Sequence, residues 1–238
     1  MGSLVFILIH SPLVGPLTWS LVARALSSRG FEVIVPALST SQDAARPFWK
    51  QHVNSVARAL EHVSPEMELV LVAHSGAGVL LPAIREIIRL PVAVYIFVDA
   101  GIPEDGKSRL ELFGDPAAED QFRRTASGGL LPTWSEGGLR EAIPDPEIRS
   151  LFVAELRPLP LEVYAEPIPV FKGWPDAPCA YLRFGSNPAY EQAAGQAQLL
   201  GCQYKVIQGD HFHMLVEPVI VADALVDLVG QTGVPTQP

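Results

Sequence analysis

Residues 69–79 read Leu69-Val70-Leu71-Val72-Ala73-His74-Ser75-Gly76-Ala77-Gly78-Val79. An apolar run with no polar alternation suits a strand buried on both faces, and here it passes directly into small residues and then into the helical pattern Gly76–Arg89. Strand, small-residue turn and helix together form the context of the G-x-S-x-G nucleophile elbow. In that turn the serine holds a strained backbone conformation, and only short side chains let strand and helix approach so closely. Ala73 and Ala77 stand where the two glycines of the pattern belong, a departure that preserves small size. A helix starting after Ser75 aims the Gly76 N–H and the helix dipole at charge developing on a substrate oxygen. A serine that merely caps the helix is the competing reading.

Working outward, short apolar runs rich in β-branched residues recur at Leu4–Ile9, Glu32–Val35, Glu68–Ala73, Val92–Val98, Ala180–Phe184 and Gln203–Ile207. Helical patterns separate them: Leu17–Arg29 stopped by Gly30, Ala44–Val63 ended before Pro65, Gly76–Arg89, Pro188–Leu200 stopped by Gly201, and Glu217–Val229 closed by Gly230. This alternation predicts a three-layer α/β fold, a mostly parallel sheet with helices on both faces. From Gly101 to Pro178 the alternation lapses, and Pro, Gly and the aromatics Phe113, Phe122, Trp134, Phe152, Tyr164, Phe171 and Trp174 interleave. The expected division is a core of residues 1–100 and 176–231, a helical cap or lid insertion of 101–175, and a flexible tail of 232–238. The alternative for the insertion is an irregular excursion with its own small core.

With 17 Lys+Arg against 26 Asp+Glu the chain carries a formal charge of −9, which repels nucleic acid and anionic membranes. The longest apolar stretch, Leu90 to Val98, is about half of the ~18 residues a membrane span requires. The opening Met1-Gly2-Ser3 lacks a basic n-region, so export is not expected. Cys179 and Cys202 fall in no zinc or CxxC spacing and read as free thiols of a reducing, cytoplasmic compartment. Gly76-x-Gly78 lacks the third glycine of a dinucleotide fingerprint and follows the wrong strand. No cofactor is expected; the expected partner is a small-molecule substrate.

Near the C-terminus, Gly209-Asp210-His211-Phe212-His213 forms a short loop between the last strand and the last helix. A general base there can reach a nucleophile held at the carboxyl end of a neighbouring strand. His211 is the preferred base and His213 its competitor. The i, i+2 pair also permits a metal, but nothing nearby completes a ligand set. His10, His52, His62 and His74 read as structural or surface residues, with His10 and His74 near the site.

At this point the chain resembles the α/β-hydrolase superfamily over essentially its whole length. Ile9-His10-Ser11-Pro12-Leu13, followed by Trp19 and a helix, looks like the segment carrying half of the oxyanion hole. The Gly209–Phe212 loop is similar to that of synthase thioesterases and of the small plant methylesterase and hydroxynitrile-lyase branch. The usual acid position after the post-cap strand, Phe184-Gly185-Ser186-Asn187-Pro188, holds no Asp. The thioesterases resemble this chain at Val98-Asp99-Ala100-Gly101, which makes Asp99 the acid; Glu191 and Asp210 remain alternatives. Pro12 stands where the family donates an oxyanion N–H, and proline has none, so Leu13 donates through a shifted loop or the hole has one donor fewer. The resemblance implies a serine hydrolase acting on an ester or thioester of an apolar acyl or small organic substrate, with Ser75, His211 and Asp99 catalytic. Gly76 and Leu13 would bind the oxyanion, and His10, Pro12, His74, Trp134 and His213 would line the pocket. The alternative keeps the fold as a lyase, cyclase or binding protein.

Overall fold

The computed structural model describes residues 3–236; Met1, Gly2 and the last two residues of the expected tail lie outside them. In chain order the elements are β1 (Leu4–Ile9), α1 (Leu17–Ser27), β2 (Glu32–Ile34), α2 (Phe48–Ala59), β3 (Glu68–His74), α3 (Leu81–Ile87) and β4 (Val92–Val98). There follow α4 (Pro116–Thr125), β5 (Leu130–Leu131), α5 (Pro146–Glu155), β6 (Leu159–Pro160) and α6 (Glu162–Ala165). The chain closes with β7 (Cys179–Phe184), α7 (Glu191–Leu199), β8 (Gln203–Ile207) and α8 (Pro218–Gln231).

Six strands form one sheet in the order β2-β1-β3-β4-β7-β8, every neighbouring pair parallel. Because side chains alternate along a strand, the apolar runs feed two separate cores. Phe6, Leu8, Val72, Ile96, Val98 and Leu182 pack with Trp19 and Leu26 of α1 and Leu225 and Leu228 of α8. Val5, Ile7, Leu71, Tyr95 and Tyr181 pack on the other face with Val53 and Val56 of α2, Ile84 of α3 and Ala197 of α7. This double burial is why the strands show no polar alternation. Between β4 and β7, β5 and β6 pair antiparallel, and Leu110, Leu131, Leu159, Val163 and Tyr164 form a third cluster with Phe48. The order reverses between β1 and β3, the switch point at whose carboxyl edge α/β proteins form their ligand crevice.

Several boundaries differ from the sequence expectation for local reasons. The second helix begins at Phe48 rather than Ala44, because Pro47 sits extended at its N-cap (φ −77, ψ 154) and the residue before a proline is disfavoured in helix. Residues Ser75–Leu80 form a 3-10 turn, and the α-helix proper starts only at Leu81. The last helix continues through Gly230 to Gln231, and Val234 packs back on the first core.

The free-thiol expectation is overturned: Cys179 and Cys202 are joined in a disulfide, with Cα atoms 4.6 Å apart. The reason is register. Ala180 pairs with Gln203 across parallel β7 and β8, so the residues immediately before them lie side by side. The inference of a reducing compartment loses its basis with those thiols. Among the described residues no helix is long and apolar enough to cross a membrane.

Candidate active site

The carboxyl ends of five strands deliver the polar residues. Ser11 follows β1, Ser75 follows β3, Asp99 follows β4, Asn187 and Tyr190 follow β7, and His211 follows β8. Ser75 has φ 56 and Asp99 φ 41, the only non-glycine residues at positive φ among those described. Such a conformation persists only where the surroundings over-determine it. At the elbow they do: a Cβ on Gly78 would lie 2.4 Å from the Gly101 carbonyl oxygen, and one on Gly76 2.7 Å from Tyr164 Oη. Ala73 and Ala77 are fully buried, so the two replaced glycines needed only small side chains.

Asp99 is fully buried. Its Oδ1 accepts from the Phe184 N–H at 2.8 Å, and its Oδ2 accepts from Asn187 Nδ2 at 2.8 Å and faces His211 Nδ1 at 3.2 Å. Asn187 Nδ2 also lies 3.2 Å from His211 Nδ1. A carboxylate only accepts, so the Nδ1 proton belongs to the Asp99 bond and leaves Nε2 as the free imidazole acceptor. The alternatives for the acid stand apart: Glu191 is exposed and lies 3.9 Å from Arg183, and Asp210 is exposed.

His74 supports this arrangement from below. Burial drives its pKa well below the ordinary value, helped by neighbouring His211. Neutral, it donates from Nε2 to the His211 carbonyl oxygen at 3.0 Å, fixing the loop backbone. Tyr190 covers the other side, its ring stacked on that of His211 with centroids 5.1 Å apart and planes at 10°. The Tyr190 hydroxyl also meets Ser75 Oγ at 2.8 Å, so the serine hydroxyl is engaged by the tyrosine in this state. Burial raises the Tyr190 phenol above its ordinary pKa and keeps it protonated.

On the β1 side, Ser11 Oγ lies 3.1 Å from Tyr164 Oη and 3.4 Å from the Leu13 N–H. The Leu13 donor therefore points at the Ser11 hydroxyl, which itself adjoins the Gly76 backbone at the elbow. Arg109 is buried beneath, donating to the Gly76 and Val163 carbonyl oxygens at 2.6 Å each.

The expected pocket residues divide. His74 and Trp134 line a cavity of about 150 Å³ together with Ser75, Leu13 and His211. His10 and Pro12 do not: they border a separate open groove with Leu38 and Glu155. The His10 ring is spent on backbone, accepting from Leu38 N–H at 3.1 Å and bonding the Ser11 carbonyl at 2.8 Å. His213 turns away from Ser75, its ring against Gly209 and edge-on to Phe184; Gly209, at φ 152, leaves no room there for a side chain. Sequence reasoning missed Asn187, Tyr190 and Ser11. The only available signal was an amide at the position where the family places its acid. Among the described residues no group of His, Cys, Asp and Glu could hold a metal ion.

The model of the alpha/beta hydrolase family matches residues 6–224. A sequence search of curated proteins finds no match. Among solved structures, an extracellular alpha/beta-hydrolase from a Paenibacillus species superposes with TM-score 0.77 at 20% identity, over 94% of this chain and 98% of that one. A pyrethroid hydrolase from Sphingobium faniae gives 0.73 at 18% identity, over 96% and 98%. Tomato methylketone synthase I gives 0.74 at 15% identity, over 98% and 100%. At these identities the likeness is one of fold.

Proposed function

Because the chain belongs to the alpha/beta hydrolase family, we propose that it is a serine hydrolase cleaving an ester or thioester of a small, largely apolar substrate through an acyl-enzyme. The observation that carries this reading is Ser75 held at positive φ beside an imidazole whose Nδ1 faces a fully buried carboxylate. Strain at such a turn costs ~1–3 kcal/mol and is retained where it presents a reactive group. His211 Nε2 takes the Ser75 proton as Oγ attacks the acyl carbon, and Asp99 stabilises the imidazolium. His211 then protonates the leaving oxygen or sulfur, and water repeats the sequence to release the acid.

Two donors face the developing oxyanion: the Gly76 N–H and the Ser11 hydroxyl. Ser11 accepts from the Leu13 N–H, so Leu13 acts through it instead of directly. A side-chain hydroxyl thereby replaces the N–H that Pro12 cannot give. Before attack, the Ser75 hydroxyl exchanges Tyr190 for His211, a change of hydroxyl rotor and side-chain torsion.

One observation favours a second reading, a non-hydrolytic lyase, cyclase or binding protein: the Ser75 hydroxyl bonds Tyr190. Pre-steady-state kinetics with an activated ester separates the two. The hydrolase reading requires a burst of the released alcohol close to one equivalent per chain; steady binding without release supports the second.

A further inference from the structure

Two cavities open on either side of Ser75. One, of about 110 Å³, is walled by Gly76, Val79, Gly101, Leu112 and Ala193. The other, of about 150 Å³, is walled by His74, His211, Phe212, Phe122 and Trp134. Ser75, Phe113, Tyr164 and Tyr190 border both, and the two tyrosines, one bonded to Ser75 and the other to Ser11, form the partition.

In acyl transfer the two halves of an ester point away from the reacting carbon in different directions. The imidazole must pass its proton to the leaving oxygen, so the leaving group lies on the imidazole's side. His211 borders the larger chamber and not the smaller. Resting on the hydrolase reading, we infer that the larger chamber receives the leaving group and the smaller one the acyl group.

Size and lining then name the substrate class. An apolar cavity of ~150 Å³ holds a benzene ring, and Phe122, Trp134 and Phe212 offer faces and edges suited to one. The smaller chamber is walled by Val79, Leu112 and Ala193, with Arg109 and Gln192 as its polar members, which fits a chain of a few carbons. The substrate is a short-chain acyl ester or thioester of an aromatic or similarly sized cyclic alcohol or thiol. A methyl ester of an aromatic acid has the opposite polarity and places its ring away from Phe122, Trp134 and Phe212.

The test uses the purified full chain and two isomers of closely similar intrinsic reactivity, benzyl acetate and methyl phenylacetate. The inference requires kcat/KM for benzyl acetate to exceed that for methyl phenylacetate by at least about tenfold, the discrimination a misfitted apolar group produces. Equal rates, or the reverse preference, overturn the partition while leaving the hydrolase reading intact. Turnover of neither isomer by a chain that still forms a fluorophosphonate adduct at Ser75 also overturns the partition alone. Turnover of neither with no adduct overturns both.

Two variants locate the effect. Trp134 is exposed, so Trp134→Ala leaves the core untouched; it should lower kcat/KM for benzyl acetate about tenfold more than for ethyl acetate. Ala193→Leu narrows the smaller chamber and should penalise benzyl butyrate about tenfold more than benzyl acetate. Uniform losses across each pair would contradict the assignment.

Discussion

The side-chain amide of Asn187 donates to Oδ2 of Asp99 at 2.8 Å, and that same oxygen lies 3.2 Å from Nδ1 of His211. The strand that would normally supply the acid thus supplies a neutral amide that holds an acid from β4. The carboxylate comes from β4, the direct neighbour of β7 in the sheet, and its place beside the imidazole is kept.

This relationship predicts an order of losses. Asp99→Asn removes the acceptor that fixes the Nδ1 proton and should lower kcat by about 10⁴-fold, whereas Glu191→Gln should change it little. Asn187→Asp sets a second carboxylate beside the first, and added negative charge favours the protonated imidazole. The acidic limb of the kcat/KM profile should therefore move to higher pH. An unmoved limb, or a larger loss in Glu191→Gln than in Asp99→Asn, would place the acid elsewhere.

Legibility followed the range of the interactions concerned. The β3 elbow could be read directly, since Leu69–Ala73 is a doubly buried strand and His74-Ser75-Gly76 is a local turn. His211 could be read from its place in the loop between the last strand and the last helix, whereas Asp99 came from resemblance, because nothing local marks a strand-end aspartate as the partner of a histidine 112 residues away. Asn187 and Tyr190 were illegible for the same reason: their roles arise when the loops after β7 and β8 pack together. The disulfide was hidden because it is a consequence of β7–β8 register, not of cysteine spacing. His213 lost to His211 through packing against Gly209, which only the folded loop reveals.

The side-chain oxyanion donor is testable at Ser11. Removing one donor typically costs ~10²–10³ in kcat, so Ser11→Ala should fall in that range with KM little changed. Pro12→Gly restores an N–H at the family position and should recover part of the loss in the Ser11→Ala background. Full activity in Ser11→Ala, measured by steady-state kinetics, would remove Ser11 from the hole.

The Cys179–Cys202 bridge closes a separation of 23 residues, a loop for which chain entropy gives about 3 kcal/mol. Reduction, or Cys202→Ser, should lower Tm by roughly 6–12 °C for a chain of this size. Calorimetry with and without reductant checks this; an unchanged Tm would mean that the bond adds nothing to stability.

Buried histidines set the acid limit of the fold. Desolvation lowers His10 to about 4 and His52 to about 3, and holds His74 well below its ordinary value. The unfolded chain takes these protons near pH 6.5 and the folded chain only at lower pH. Stability is therefore fully present above pH 6.5 and is lost as pH falls from there through about 4 for His10 and about 3 for His52. Each group contributes about 1 kcal/mol per pH unit in that window. Urea unfolding between pH 7 and 5 should show stability dropping, with a shallower slope in His52→Gln; a flat profile would contradict neutral burial.

The central claim is that Ser75 is an activated nucleophile, and intact mass after incubation with a fluorophosphonate tests it most directly. The account predicts one adduct on the wild-type chain and none on Ser75→Ala. An unmodified, folded wild-type chain, or an adduct that persists in Ser75→Ala, would contradict it.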